Sequence, residues 1–285
     1  MGNCLLAYRN RRAEAVLSGG SWQPSLPLSN LQTEALSRAA VCTSVDPADT
    51  QFRGVLPQSR LIRVFGLIAH NLGTFDRYRL RLYADEVGAD LLYDSGPVDA
   101  WPMVYTFGQI DWQHDSFWSL TITDEDRVGF PWDLTVVLPE ALYVRSWHVE
   151  IFKGDGTPPE IGMLWLSDGW QPEYNASYGR NWGYVDPSEV DSAPLSGALY
   201  ADELPKYRVE KFTLDRLSDA EAHERVLDIQ RLVGRTQDVY YIHDPDDMLN
   251  KQRRWFLGRL ESLDAITETL LAVNGTTYNV RERIE

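Results

Sequence analysis

Six aromatic residues crowd one short stretch of the chain: Trp101, Tyr105, Phe107, Trp112, Phe117 and Trp118. Flat aromatic faces stack on sugar rings through C–H contacts, which makes Trp101, Tyr105, Trp112 and Trp118 candidate glycan contacts. The same side chains serve equally well as sandwich core or as a subunit interface, where Trp and Tyr are enriched. A second series, Trp170, Tyr174, Tyr178, Trp182 and Tyr184, runs through a stretch rich in Gly, Pro, Asn and acid. These five are expected to make intersubunit contacts, because an exposed aromatic arm with no partner is an aggregation hazard.

Reactive constellations are scarce. His243-Asp244-Pro245-Asp246-Asp247 places oxygen ligands close enough to hold a hard cation. An Asp-Pro turn, with Asp side chains bonding their own backbone, accounts for the same residues and is the reading adopted. Asp124-Glu125-Asp126 is read likewise as a polar turn. Leu17-Ser18-Gly19-Gly20-Ser21 lacks the spacing and the lysine of a phosphate loop, and no Gly-x-Ser-x-Gly elbow occurs. Five scattered histidines form no pair at ligand spacing, and Cys4 and Cys42 cannot build a thiolate cage. Glycoside hydrolysis needs two carboxylates paired in space, and nothing in the sequence singles out two of the 42 acids. No catalytic residue, metal or cofactor is therefore expected, and the chain is read as a non-enzyme.

The 285 residues suffice for two ordinary domains or one large β domain. Aromatic residues make up 12 %, with ten Trp and fourteen Tyr, a bias toward β-sheet over helical bundles. The 42 acidic against 27 basic residues leave a net charge of −15. Such a field repels phosphate backbones and anionic lipid, so neither nucleic-acid binding nor membrane insertion is expected. No run approaches the length of a membrane span, and the first residues lack the apolar core of a secretory signal.

The elements that must position these side chains are mostly short strands. Leu61–Ile68 is a strongly apolar run, and Tyr78–Tyr83 alternates aromatic or Leu with Arg. Ser119–Ile122, Leu134–Leu138 and Tyr143–Phe152 follow, with no helical period between them, which predicts a β-sandwich or jelly roll. Lys153-Gly154-Asp155-Gly156-Thr157-Pro158-Pro159 breaks the pattern, so the predicted domains are 1–155 and 160–285. Met163–Leu166 resumes as a strand, and 167–205 is read as a long loop. Tyr207–Leu214 alternates again. Ser218-Asp219-Ala220-Glu221 is a capping box opening a helix over 218–233, with Ala222, Val226, Ile229 and Val233 at helical spacing and Gly234 closing it. Asp238–Ile242, Phe256–Leu263 and Thr276–Ile284 are the last strands, the final one after an Asn274-Gly275 turn signal.

Two resemblances rest on these residues. Gly19-Gly20-Ser21-Trp22, Leu26-Pro27-Leu28-Ser29-Asn30-Leu31 and Arg63-Val64-Phe65-Gly66-Leu67-Ile68-Ala69-His70-Asn71-Leu72 resemble proteins of the tail-gene clusters of long-tailed bacteriophages. The Asn-Leu before the first strand and the His-Asn-Leu closing a later one are similar to galactose-binding-like jelly rolls of the discoidin type, over roughly 15–152. The strand, helix, strand and closing strands of 160–285 resemble the ring-forming β-barrel-plus-helix of phage tail-tube and distal tail proteins, with the two parts in reverse order. The resemblance implies a mainly β chain, with an N-terminal jelly-roll sandwich and a C-terminal tail-tube-like barrel carrying one helix. It implies a virion structural protein at the tail tip or baseplate, in a homo-oligomeric ring of six that joins the tail tube and hub proteins to the host-recognition apparatus. The alternatives are a carbohydrate-binding module that contacts a host surface glycan and, after it, a glycan-degrading enzyme.

Overall fold

The computed structural model describes residues 2–121, 123, 133–192 and 199–284. After a first strand, β1 (Leu5–Tyr8), the chain forms two compact units. One holds residues 7–169 and 245–254; the other holds the residues up to Leu6, 170–244 and 255–284.

The first unit contains β2 (Val16–Ser18), β3 (Ala40–Val41), β4 (Gln51–His70), β5 (Arg77–Tyr83), β6 (Leu91–Asp94), β7 (Val98–Asp99), β8 (Leu134–Phe152) and β9 (Glu160–Trp170). Their order is β9-β4-β8-β5-β6, with β2 on β4, β3 on β9 and β7 on β5. The two long strands change partners halfway. The start of β4 pairs with β2 and the end of β8, as in Val16↔Val55 and Phe52↔Val149; its second half pairs with β9 and the start of β8, as in Phe65↔Leu166 and Phe65↔Val136. Register slips between Val55 and Arg60, and again between Ile62 and Val64. Such slips bend a strand and let it turn the corner from one layer to the other. Phe52 and Leu56 from one half, with Ile62, Phe65 and Leu67 from the other, accordingly meet Leu80, Leu82, Trp147, Val149 and Leu164 in one core. The result is a β-sandwich.

Local pattern and structure agree along β5, where Tyr78, Leu80 and Leu82 are buried and the intervening arginines reach the surface. On β8 the expected alternation holds at Trp147, Val149 and Ile151. It fails at Tyr143, exposed beside a buried Val144, because the register slip against β4 falls there. Leu61–Ile68, Leu134–Leu138 and Tyr143–Phe152 are pieces of two strands about twenty residues long. Ser119–Ile122 is not a strand over its described residues: Leu120 sits at φ 55 in a run of turns. The sheet also runs past the Gly-Pro break at 153–159. Met163–Leu166 is buried on both faces and lies beside β4, so the units part at 169/170. The break itself is a tied turn, in which the fully buried Lys153 Nζ donates to the Asn71 carbonyl at 2.9 Å and to Asp155 at 2.8 Å.

The second unit contains β10 (Asn181–Val185), β11 (Glu189–Ser192), β12 (Leu199–Asp202), β13 (Tyr207–Leu217), β14 (Val239–Ile242), β15 (Trp255–Leu260), β16 (Thr267–Leu270) and β17 (Val273–Glu282). Its sheet runs β10-β13-β17-β15-β14, with β16 on β17, and β11 and β12 form a separate two-stranded ribbon. The expected loop 167–205 is thus corrected: it holds the end of β9 and the three strands β10, β11 and β12. Gly183 and Pro187 hide the period-two pattern of Trp182 and Tyr184 in the sequence.

The helix spans 219–232, with a wider π turn over Ala222–Val226. Its capping box is complete: Ser218 accepts from the Glu221 backbone, and Glu221 accepts from the Ser218 N–H. Ala222, Val226, Ile229 and Val233 are buried, and Gly234 closes the helix at φ 55. Asn274-Gly275 is not the hairpin turn. Leu270 pairs with Val273, so the turn is Leu271-Ala272, with Ala272 at φ 58, and Asn274 sits inside β17 donating to Asp219 at 2.7 Å.

Candidate glycan-contact surface

The loop between β7 and β8 is built from one anchor outward. Trp101 is 1 % exposed; its indole N–H donates to the Leu72 carbonyl at 2.7 Å and its ring meets His70 edge-on at 6.1 Å. It belongs to the sandwich core, which removes it from the glycan candidates. Beyond it the chain folds back on itself: the N–H groups of Val104 and Tyr105 both donate to the Leu120 carbonyl, at 2.8 and 3.0 Å. Turns at 106–109, 111–114 and 114–117 fill the interval, each closed by a backbone hydrogen bond of 2.9 Å.

This scaffold leaves large aromatic side chains in water. Phe107, Trp112 and Trp118 are 64, 73 and 86 % exposed. Phe117 bridges two of them edge-on, at 5.7 Å from Phe107 and 5.2 Å from Trp118, so the rings hold one another without burying their faces. Tyr105 is half-buried and leans on His114 at 5.9 Å. Asp111, Gln113 and Asp115, interleaved with the rings in sequence, are exposed as well. Exposed ring faces can stack on a sugar's C–H face, and exposed carboxylate and amide groups can bond its hydroxyls. Phe107 joins Trp112 and Trp118 here, although its type alone did not distinguish it from core.

The second aromatic series divides as well. Trp170 is 5 % exposed at the end of β9, and burial takes it out of the intersubunit set. Tyr174, Tyr178, Trp182 and Tyr184 are all exposed. Trp182 and Tyr184 stand on edge strand β10, directly opposite Glu210 and Arg208 and therefore on the same face as those buried residues.

Solved structures of similar shape include the family 32 carbohydrate-binding module of C. perfringens NanJ in complex with galactose. It is 13 % identical, with a TM-score of 0.37 over 57 % of this chain and 99 % of that one. A second is the CBM32-1 module of a family 31 glycoside hydrolase from Clostridium perfringens, also 13 % identical, with a TM-score of 0.36 over 56 % of this chain and 99 % of that one. A likeness this distant assigns no function to the present chain. No protein-family model and no curated protein matches the sequence.

Other polar clusters are structural. On the outer face of the sandwich Arg79 grips Asp94 with two bonds of 2.9 and 2.6 Å, which holds that carboxyl down at about 2. Arg81 bonds Glu150 and His148, and burial followed by the Arg81 charge keeps His148 below its usual value. In the second unit Glu210, Tyr241, His243 and Arg180 form a chain: Tyr241 donates to Glu210 at 3.0 Å, and Arg180 donates to His243 Nδ1 at 2.9 Å. Burial raises the Cys4 thiol to about 11 and Cys42 to about 12, so neither is a nucleophile at neutral pH. In the Asp-rich turn Asp247 accepts locally from Asn250, whereas Asp244 accepts from the Gly2 N–H at the far end of the chain. Among the described residues no group of three His, Cys, Asp or Glu side chains is placed to hold a metal ion. Asp124-Glu125-Asp126 and Ile122 lie outside the described residues.

Proposed function

We propose that this chain is a glycan-contacting β protein that reads a surface sugar through the loop 101–121. One observation carries the reading: Phe107, Trp112 and Trp118 are held largely exposed by a loop whose base is pinned through Trp101 and Leu120. Exposing three large rings costs free energy that contact with a sugar face recovers. Binding here needs no reactive group. The experiment is a titration of the intact chain with neutral hexoses and N-acetylhexosamines, followed by Trp fluorescence. Binding should shift the emission, and Trp118→Ala and Trp112→Ala should each weaken it about tenfold, about 1.4 kcal/mol. If no sugar perturbs the emission, or both variants bind like the parent, this reading fails.

A second reading makes the chain a virion structural protein of a phage tail tip, a ring of copies between tail tube, hub proteins and host. What supports it is β10, the last strand in its sheet, which carries Trp182 and Tyr184 exposed on the face that is buried farther along. Edge strands with an apolar face are sites of strand-to-strand joining. The two readings are compatible, because they use different units.

A further inference from the structure

We infer that the β11–β12 ribbon is a docking arm for a different protein, one that presents an extended segment in which lysine or arginine alternates with apolar side chains. The ribbon pairs Glu189↔Asp202, Val190↔Ala201, Asp191↔Tyr200 and Ser192↔Leu199. Directly opposed residues share a face. One face is therefore Val190, Ser192, Leu199 and Ala201, and the other is Glu189, Asp191, Tyr200 and Asp202. All eight residues are exposed, with Val190 at 61 % and Leu199 at 73 %.

A two-stranded ribbon alone in water is marginal, since it lacks a third strand or a helix to cover its apolar side. This one is further opposed by its own charges. Glu189 faces Asp202 directly, and Asp191 lies on the same face, so three carboxylates crowd the polar side; like charges directly opposite destabilise a pair. Such a segment, paired along the ribbon edge, sets its cations on the acidic face, where they relieve that repulsion, and its apolar side chains on the face of Val190 and Leu199. Charge also selects among occupants. Between 186 and 206 the chain carries Asp186, Glu189, Asp191, Asp202 and Glu203 against the single Lys206. A second copy, at −15, would meet this arm with like charge, and nucleic acid is repelled for the same reason.

The test uses the full chain and, as probe, a short fluorescein-labelled peptide of alternating arginine and valine, read by anisotropy at low and high salt. Binding should weaken with salt. It should drop about tenfold in Glu189→Gln/Asp191→Asn/Asp202→Asn and equally in Val190→Ser/Leu199→Ser, which leaves the charge untouched. Circular dichroism should be unchanged in both variants, because the replaced side chains are exposed. Binding that survives the Val190→Ser/Leu199→Ser change would mark general attraction to an acidic protein and overturn the inference, as would no binding at all. A gain in mass on concentration that Leu199→Ser abolishes would make the occupant a second copy, and would also overturn it.

Discussion

Lys251 is the residue whose burial has the clearest consequence for stability. It is 6 % exposed, its ammonium donates to the Thr135 carbonyl, and burial pulls its pKa down to about 8 while Asp133 pulls the other way. Below pH 8 folded and unfolded chains both hold this proton, so its effect on stability is constant there. From pH 8 to the ordinary lysine value of 10.5 the unfolded chain binds more proton than the native one, and stability rises with pH. The unfolding free energy of the parent, minus that of Lys251→Met, should therefore grow by up to about 3 kcal/mol across that window. The two raised thiols work in the opposite direction above pH 9, but they do so in both proteins and cancel in the difference. A difference that stays flat with pH would mean that the ammonium is not desolvated. At this scale the sequence is half-legible. Residue type marked Trp112 and Trp118 as glycan contacts, yet gave the same mark to Trp101, whose indole is anchored on Leu72, and marked Trp170 for an intersubunit contact although it is buried at the end of β9. The Lys251 partner, Thr135, is more than a hundred residues away.

Elements whose signals are local came through nearly intact, because the forces that define them act within a few residues. The helix from 219 is one: Ser218, Glu221 and Gly234 mark its ends, and its buried face follows the expected spacing. Ser218→Ala should cost about 1 kcal/mol by removing both bonds of the capping box, measurable by chemical denaturation. An unchanged midpoint would assign the helix to packing alone. Sheet elements obey longer-range rules. Whether β4 is one strand or two is set by register slips against β8, which no local pattern announces. Gly54 shows the constraint: a Cβ there would fall inside the ring of Trp147 on β8. Gly54→Ala should destabilise the sandwich by about 1–3 kcal/mol. Trp147→Leu in the same chain should recover part of the added loss, so that the double change costs less than the two single changes summed. Strict additivity would show that the ring moves aside freely.

Charge governs how whole molecules meet. Each copy carries −15, and at low salt the Debye length spans tens of ångströms, so copies repel before any edge strands touch. If β10 joins copies through Trp182 and Tyr184, its short-range apolar contact should prevail only when that repulsion is screened. Light scattering over a concentration series should then give the 32.6 kDa monomer at low salt and larger closed assemblies at high salt. Trp182→Ser/Tyr184→Ser should stay monomeric at every salt, while Leu199→Ser on the ribbon should assemble like the parent. An assembly that grows as salt is removed would place cationic contacts, not the aromatic edge, at the interface. A parent monomeric at every salt would remove self-assembly through β10 and leave the aromatic loop 101–121 as the surface to pursue.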